Sequence, residues 1–362
     1  MGAGRTVPRP RPGMSALETT DSGLAAVARV RDALAFDAAR VVEESRGFSC
    51  WPHAHAMRIG ARPPRPDGAA VVSVETALLS GVEPGGSLYA RLARRNAHEP
   101  GLSALRLDAE RGEISLRAAV VTRPEDGGAA ARRLAHAALL QIGAALLAAD
   151  ELAVELPGST LLVGSAPGGG SWPVVEQAGA AAAYAAGAPA RAGQVLSVFA
   201  RLATLSPAPW LRATPAAHGL DAELPCRAAS SAAGPAAEVA LLRMSASQPH
   251  PRLGAGLVVA LLAPPSLEPE PARAAATAAL LNDAESREWT GVDQLGAWCV
   301  HPALGLAHVG FVPALAVEDS TAEALAWQAG TRARWATAFA AHAVHARALR
   351  ESGPRVAAEP HQ

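Results

Sequence analysis

Apolar and polar positions follow the same order of patterns twice along this chain. Each time, a helical pattern is followed by short apolar runs bounded by proline and glycine clusters, and such runs are typical of β-strands. A shorter helical segment, an alternating hairpin and a long helix come next. The two passages run from 22 to 149 and from 194 to 348. The pattern therefore predicts two units of related structure.

The first passage begins and ends with a helical pattern. Its apolar periodicity predicts a helix over 22–45, strands over 50–60 and 70–79, a helix over 85–96, a hairpin over 102–121 and a helix over 127–149. The hairpin alternates apolar and polar residues around the turn DAERG, as a half-buried antiparallel pair does.

The second passage repeats these elements with one interruption. It predicts a helix over 194–205, strands over 237–246 and 257–263, a helix over 270–285, a hairpin over 295–313 and a helix over 321–348. The proline- and alanine-rich stretch 207–236 interrupts the pattern after the first of these helices.

Direct alignment of the two passages adds less than the order of their elements. Residues 68–96 align without a gap on 254–282, with eight of the 29 positions identical, but four of those eight are alanine in an alanine-rich chain. The aligned stretch contains no shared constellation of acidic, histidine or cysteine residues. An enzyme that kept a site in both copies would be expected to show one.

Two matched pairs of residues mark the ends of these elements. Asn96 and Asn282 fall near the ends of the middle helices, where asparagine tolerates the left-handed conformation. Gly112 and Gly305 fall at matching points of the two hairpin turns, where we expect a positive φ.

These patterns predict an α+β fold made of two tandem repeats. Each repeat is an antiparallel sheet with helices packed on one face, in the order α-β-β-α-β-β-α. The predicted organisation is a disordered arm over 1–20, a first domain over 21–150, a linker over 151–192, a second domain over 193–350 and a disordered tail over 351–362.

The element order resembles the YbjN and type III secretion chaperone-like fold, present in two tandem copies. The segments that carry the resemblance are ARLARRNAHEPGLSALRLDAERGEISLRAAVV and ATAALLNDAE…LGAWCVHPALGLAHVGFVP, each with the helix that follows. The first hairpin matches the family pattern at Leu105, Leu107, Asp108, Gly112, Ile114 and Leu116. The second departs from it, because His301 replaces the turn aspartate and seven extra residues precede the hairpin.

The resemblance implies a non-catalytic, chaperone-like or adaptor-like domain that binds another protein. Members of the family work as dimers, so a tandem chain implies an intramolecular pseudo-dimer. The resemblance provides no catalytic residues to carry over to this sequence.

The composition of the chain excludes several classes of function. The 362 residues carry a formal net charge of −1, and all 32 basic residues are arginine. Without lysine the chain has no P-loop lysine and no Schiff-base lysine. The balanced charge gives no basic footprint for nucleic acid, and we expect no cofactor.

Cysteine spacing and apolar runs bear on location. Three cysteines, Cys50, Cys226 and Cys299, lie far apart with no CxxC spacing, which fits a reducing bacterial cytoplasm. The first residues lack the apolar core of a signal peptide, and the apolar stretches 139–149 and 254–265 are too short to span a bilayer. We therefore expect a cytoplasmic protein without a membrane segment.

Two clusters of histidine and cysteine are candidates for chemistry. Cys299, His301 and His308 lie on the second hairpin. A nearby imidazole can activate a thiolate, so these residues give the alternative to a binding protein, which is a hydrolase or metal-dependent enzyme with its site here. The segment CWPHAH places Cys50, His53 and His55 within six residues, but a structural zinc site needs four ligands. We interpret both clusters as structural and predict no catalytic or metal-binding residue.

Tryptophan and arginine supply the candidate partner-binding residues, which are Trp298, Trp327, Trp335, Arg91, Arg94 and Arg95. Tryptophan is enriched at binding hot spots but also fills cores. The three arginines form a stripe on the middle helix of the first repeat, which is either a solvated face or a surface for an acidic partner. The predicted function is a non-enzymatic module for an unidentified protein partner, with a homodimer as a further possibility.

Overall fold

The first part of the chain forms one sheet with three helices. The computed structural model describes residues 21–34, 40–126, 128–164, 201, 212–216, 219–226, 238–246, 250, 255–263, 267, 271–288, 290–314, 317 and 321–352. The elements of this part are α1 (Ser22–Leu34), β1 (Val41–Glu44), β2 (Gly47–Cys50), β3 (Met57–Ala61), β4 (Ala70–Ser80), α2 (Gly86–His98), β5 (Ala104–Asp108), β6 (Glu113–Thr122), α3 (Ala129–Glu155) and β7 (Thr160–Leu161).

The second part forms another sheet with two described helices. Its elements are β8 (Arg212–Ala216), β9 (Gly219–Cys226), β10 (Glu238–Ser245), β11 (Gly256–Leu262), α4 (Pro271–Arg287), β12 (Ala297–His301), β13 (Gly305–Pro313) and α5 (Thr321–Ser352). The helix predicted over 194–205 lies outside the described residues except for Arg201.

Both sheets are antiparallel, and their strands follow the same path. The first sheet has the order β1-β2-β3-β4-β6-β5, with β7 joined to β4, and the second has the order β8-β9-β10-β11-β13-β12. In each sheet the fourth strand of the path lies beside the second strand of the hairpin that follows the middle helix. The predicted α+β class with antiparallel sheets is therefore confirmed.

The helices of each half pack on the apolar face of its own sheet, because apolar side chains alternate along the strands. Helices α1 and α3 pack on the first sheet through residues such as Val30 and Leu134, which lie in one buried cluster with Phe48 and Val74. Helices α4 and α5 pack on the second sheet through mostly small residues, including Ala278, Leu281, Ala326, Ala329 and Ala333. The alanines let the helices lie close to the strands.

The two predicted turn glycines have the expected backbone conformation. Gly112 has φ 61° and Gly305 has φ 70°, a region that a side chain with a Cβ disfavours. Each follows a hairpin turn and leads directly into the return strand, β6 or β13.

The structure corrects the predicted strand count. Each sheet has four strands before its middle helix instead of two. The helix predicted over 22–45 ends at Leu34, and 41–44 pairs with 47–50 as a hairpin around the turn at Ser45 and Arg46. The strand predicted over 50–60 begins only at Met57.

The predicted interruption over 207–236 also contains strands. Its described residues form β8 and β9. One of its prolines, Pro215, lies on β8, which pairs only with β9, and an edge strand tolerates a missing backbone donor. The domain boundaries remain predictions, although α3 continues to Glu155 and β7 extends the first sheet into the predicted linker.

Helix α3 is the one helix in the described part of the chain that is long and apolar enough to cross a membrane by length and composition alone. One face of it packs on the first sheet, where the Thr76 hydroxyl donates a hydrogen bond of 2.9 Å to Gln141 Oε1. In this structure it is therefore a packed helix.

Candidate functional site

The middle helices α2 and α4 each hold a strand through one asparagine. The Asn96 amide donates to the Leu105 carbonyl at 3.0 Å, and its oxygen accepts the Leu105 N–H at 2.9 Å. Asn282 makes the same two bonds to the carbonyl and N–H of Trp298, both at 2.8 Å. Each asparagine therefore fixes the distance between its helix and the first strand of the following hairpin.

Each middle helix also contacts the sheet of the other half. Helix α2 packs against β12, α4 packs against β5, and the two helices pack against each other. Ala97, which follows Asn96, lies in a buried cluster with Cys299 and Ala307. Asp283, which follows Asn282, accepts a hydrogen bond of 3.1 Å from Arg106. The two halves therefore share an interface built from exchanged helix contacts.

The face of the first sheet that meets α4 is strongly polar. Glu75 accepts hydrogen bonds from the Ser115 hydroxyl at 2.8 Å and from the Arg117 guanidinium at 2.9 Å. Burial, together with the neighbouring charges of Arg106 and Arg62, lowers the pKa of Arg117 despite the attraction of Glu75. The cations and carboxylates of this face form one network of ion pairs, which we call the buried lattice.

Main-chain groups of the second half complete this lattice. Arg62 donates to the carbonyls of Ser286 and Arg287 at the end of α4. Ala119 and Gln294 exchange two backbone hydrogen bonds of 3.2 and 2.7 Å. Positive side chains at the end of a helix interact favourably with its dipole, so Arg62 both satisfies orphan carbonyls and joins the halves.

A buried ion pair lies beneath α5 in the second half. Glu285 accepts a hydrogen bond of 2.8 Å from Arg332 Nε and one of 3.0 Å from the Trp298 indole. Both charged side chains are 5% exposed. Asp293, also buried, accepts from the Val121 amide at 2.8 Å.

Asp293 links three elements from both halves. Its second carboxylate oxygen accepts from Arg133 on α3 at 2.9 Å and from Gln328 on α5 at 3.0 Å. An apolar cavity of about 80 Å³ adjoins these residues. That volume is well below the roughly 300 Å³ of an ordinary ligand pocket, so the network is a structural junction.

The predicted arginine stripe lines a surface concavity with a volume of about 670 Å³. We call this concavity the arginine groove. Arg95 donates to Glu151 at 2.8 Å and to Glu155 at 2.6 Å, and Arg91 donates to the Glu155 carbonyl at 2.8 Å. Arg94 is exposed. Two of the three predicted residues are therefore held by α3, and Arg94 faces solvent.

The three predicted tryptophans lie in different environments. Trp298 is fully buried, so it belongs to the core and offers no surface to a partner. Trp335 is half-buried, stacks on Phe339 with ring centroids 5.5 Å apart, and donates to Glu288 at 3.1 Å. Trp327 is 45% exposed, which leaves it as the most accessible aromatic of the three.

The alternative site at Cys299, His301 and His308 is not assembled. Cys299 pairs with Ala307, whereas His308 pairs with Trp298 and contacts its ring at 5.6 Å between centroids. Neighbouring residues of a strand point to opposite faces, so the Cys299 thiol and the His308 imidazole lie on opposite sides of the sheet. His301 lies at the turn and accepts from the Ala303 amide.

Burial also opposes chemistry at these residues. It raises the pKa of Cys299 to about 12, so the thiol is protonated at neutral pH. Burial and the charge of Arg332 lower the pKa of His308 well below its usual value. Burial and the neighbouring His98 also lower the pKa of His301.

The segment around Cys50, His53 and His55 is a packed loop. Burial raises the pKa of the Cys50 thiol to about 12, and its sulfur contacts the Met57 carbonyl at 3.5 Å. His53 accepts from the His55 amide, and the His55 ring lies 2.9 Å from the Leu162 carbonyl. Burial, with the charge of His55, lowers the pKa of His53 to about 4. Among the described residues no group of three such side chains is placed to hold a metal.

Sequence reasoning missed the charged residues of the junction, although one signal was present. Along α4 the buried positions Ala274, Ala278, Leu281 and Glu285 follow helical spacing. An acidic residue in the apolar register of a helix indicates a buried charge that needs a partner. Comparison with protein-family models, curated proteins and solved structures finds no match for this chain.

Proposed function

We propose that this protein is a non-enzymatic binding module for another protein, chaperone-like or adaptor-like, and that two related α+β units form an intramolecular pseudo-dimer within its chain. The observation that carries the proposal is the reciprocal contact of the middle helices, each fixed by an asparagine to its own strand and packed against the other sheet. The common strand path of the two sheets supports the repeat. We keep the resemblance to the YbjN and type III secretion chaperone-like fold, and a cytoplasmic location, within this proposal.

The packing of the candidate chemical groups favours binding over catalysis. The enzyme alternative requires Cys299 and His308 to share one face of the sheet, and their strand pairing places them on opposite faces. The buried charges of the junction are all engaged with one another, with Arg332 on Glu285 and Arg133 on Asp293. Such satisfied pairs hold elements together and leave little capacity for proton transfer.

The arginine groove is the proposed partner-binding surface. Arg91 and Arg95 are anchored by Glu155, so the groove keeps a fixed shape, and Arg94 projects from it. Arginine recognises carboxylates in a planar, bidentate way. The groove therefore suits a protein partner that brings acidic residues to Arg94, with Trp327 as a separate aromatic contact.

Site-specific photocrosslinking in living cells tests the proposal. A photoreactive amino acid at position 94 is expected to trap a discrete partner protein, and the same residue at Val42, exposed on the edge strand β1, serves as the matched control. Crosslinking that disappears with Arg91→Glu would support the groove. Stoichiometric zinc in the purified protein, with no crosslink at 94 or 327, would contradict the proposal.

A further inference from the structure

The loop between β2 and β3 holds the segment that follows α3. This segment, 160–164, contains β7 and leads into the chain that joins the two halves; we call it the strap. Its Gly164 amide donates to the Ala54 carbonyl of the loop at 2.7 Å. His55 Nδ1 lies 2.9 Å from the Leu162 carbonyl, and it carries the proton because a carbonyl only accepts. The loop therefore binds the strap through one backbone group and one imidazole.

His53 fixes the conformation of this loop. Its Nδ1 accepts a hydrogen bond of 3.0 Å from the His55 amide, which closes a turn of the kind that asparagine makes with the amide two residues on. The two imidazoles are buried and meet edge to face, with ring centroids 5.4 Å apart. The position of the His55 ring against the strap therefore depends on a bond that only an unprotonated Nδ1 of His53 accepts.

The contacts of His53 with α3 suit only the neutral imidazole. Its Nε2 is buried and has no hydrogen-bond partner among the described residues. Burial and the charge of His55 lower the pKa of His53 to about 4, and the backbone of Ile142 on α3 offsets only part of this. The next titratable groups on α3 are His136 and Asp150, which lie about 9 and 12 Å along the helix from Ile142.

The other elements around the loop offer no anion to a protonated His53. The strap, TLLVG, has no titratable side chain. On β2 and β3 the charged residue is Arg58, which is exposed and paired with Glu44 of β1. On β4 the carboxylate of Glu75 is engaged by Ser115 and Arg117. A proton on His53 would therefore be a buried charge without a counterion, which is costly.

We propose that His53 and His55 form an acid-sensitive latch that holds the strap on the first sheet, and that acidification opens it. Protonation turns His53 Nδ1 from an acceptor into a donor, so the His55 amide loses its partner and the His55 ring loses its position. The strap then keeps only its pairing with the end of β4. Release of its five residues would lengthen the connection between the halves by roughly 16 Å.

The direction of the pH dependence follows from the two states of His53. The pKa of His53 is about 4 in the closed loop, and it returns to the ordinary value of about 6.5 when the loop opens. The latch is therefore fully stable above about pH 6.5, and it loses stability as the pH falls from there toward 4.

Hydrogen exchange of the full chain, followed by mass spectrometry at about pH 7.5 and about pH 5, tests the latch. The difference between the two pKa values of His53 predicts that the opening constant of the loop rises about 30-fold between these conditions. After correction for intrinsic exchange rates, the protection of the bonded amides of Leu162 and Gly164 should fall by that factor. The amides of β6, in the middle of the same sheet, should change much less.

Two matched variants separate the latch from a general sensitivity to acid. In His53→Asn the side-chain oxygen replaces Nδ1 and accepts the same amide without titrating, so the strap should stay protected at the lower pH. His301 also accepts the amide two residues on, from Ala303, but lies on the second hairpin. His301→Asn should therefore leave the 30-fold change of the strap intact.

The wild-type comparison between the strap and β6 decides the question even if a variant does not fold. Unchanged protection of the strap between the two pH values would overturn the proposal. An equal loss of protection in β6 would do the same, because it would show that the whole half unfolds. A loss in H53N as large as that in the wild type would show that another group is responsible.

Discussion

Two contacts join the halves of the molecule at corresponding points. On one side, Ala97 of α2 packs in an apolar cluster with Cys299 and Ala307. On the other side, Asp283 of α4 accepts a hydrogen bond from Arg106 on β5. Ala97 and Asp283 each follow the asparagine of their helix, and Arg106 and Cys299 each follow the residue that this asparagine holds.

The difference between these contacts affects which halves can pair with each other. In a symmetric homodimer two such contacts are identical, but two units in one chain are free to diverge. Packing α2 against β5 of another copy would leave Arg106 without Asp283, and packing α4 against β12 would bury Asp283 beside a thiol. Each of these pairings would lose the hydrogen bond between Arg106 and Asp283 and bring one of the two charges against an apolar surface, so the difference favours the pairing of unlike halves.

The largest effect is expected from a charge placed in the apolar contact. Ala97→Asp should lower the free energy of unfolding by about 3–5 kcal/mol, because the carboxylate is buried without a cation. Urea denaturation measures the change, and Ala90→Asp at an exposed position of the same helix is the control. Adding Cys299→Arg should restore part of the loss by recreating the ionic contact. If A97D lowers the free energy of unfolding by less than about 1 kcal/mol, the proposed difference between the apolar and the ionic contact is contradicted.

A smaller loss is expected on the ionic side. Arg106→Met should cost about 2–3 kcal/mol, since it removes a nearly buried guanidinium that bonds Asp283 and lies 4.0 Å from Glu75, and only Arg287 and Arg117 then remain beside these two carboxylates. The double variant that also carries Asp283→Ala should lose less unfolding free energy than the sum of the two single variants, by about 1–2 kcal/mol. Simple additivity in a urea double-mutant cycle would show that the two side chains are not coupled.

The two asparagines should differ in the same assay. Asn96→Ala should cost about 2–3 kcal/mol because the Asn96 side chain is buried and its loss leaves both backbone groups of Leu105 unpaired. Asn282 is half-buried, so Asn282→Ala should cost nearer 1–2 kcal/mol as water replaces part of the bonding. Hydrogen exchange at the amides of Leu105 and Trp298 should accelerate in the corresponding variant, and equal exchange in wild type and variant would contradict these roles.

The smallest effect is expected at the rim of the interface. Arg287 bonds Asp283 at 3.0 Å and Glu110 at 2.7 Å, but the Glu110 side chain is 76% exposed. Arg287→Ala should therefore cost less than about 1 kcal/mol, and added salt should shrink the difference further. A cost equal to that of R106M would mean that the rim, and not the buried lattice, holds the halves together.

The sequence predicted the elements around the middle helices better than those before them. Periodicity placed α2, α4, both hairpins and both long helices within a few residues, and Gly112 and Gly305 marked the turns. The first strands were missed because they are short or contain proline. Strand β1 is four residues long, and no apolar alternation of that length stands out from a helical pattern.

The sites were less predictable because they depend on pairing between distant segments. The separation of Cys299 from His308 follows from strand register: three residues separate His301 from Gly305, whereas four separate Asp108 from Glu113. The burial of Trp298 depends on Glu285 and Arg332, which lie 13 residues before and 34 residues after it. Local patterns carry no information on such contacts.

Cleavage of the intact chain tests the central claim most directly. A protease site inserted between residues 170 and 190 allows the chain that joins the two halves to be cut after folding. We predict that the cut protein still elutes as one particle of the original mass, unfolds in one transition, and separates into two halves when A97D is present. Separation of the wild-type halves after cleavage, or two independent unfolding transitions, would contradict the account.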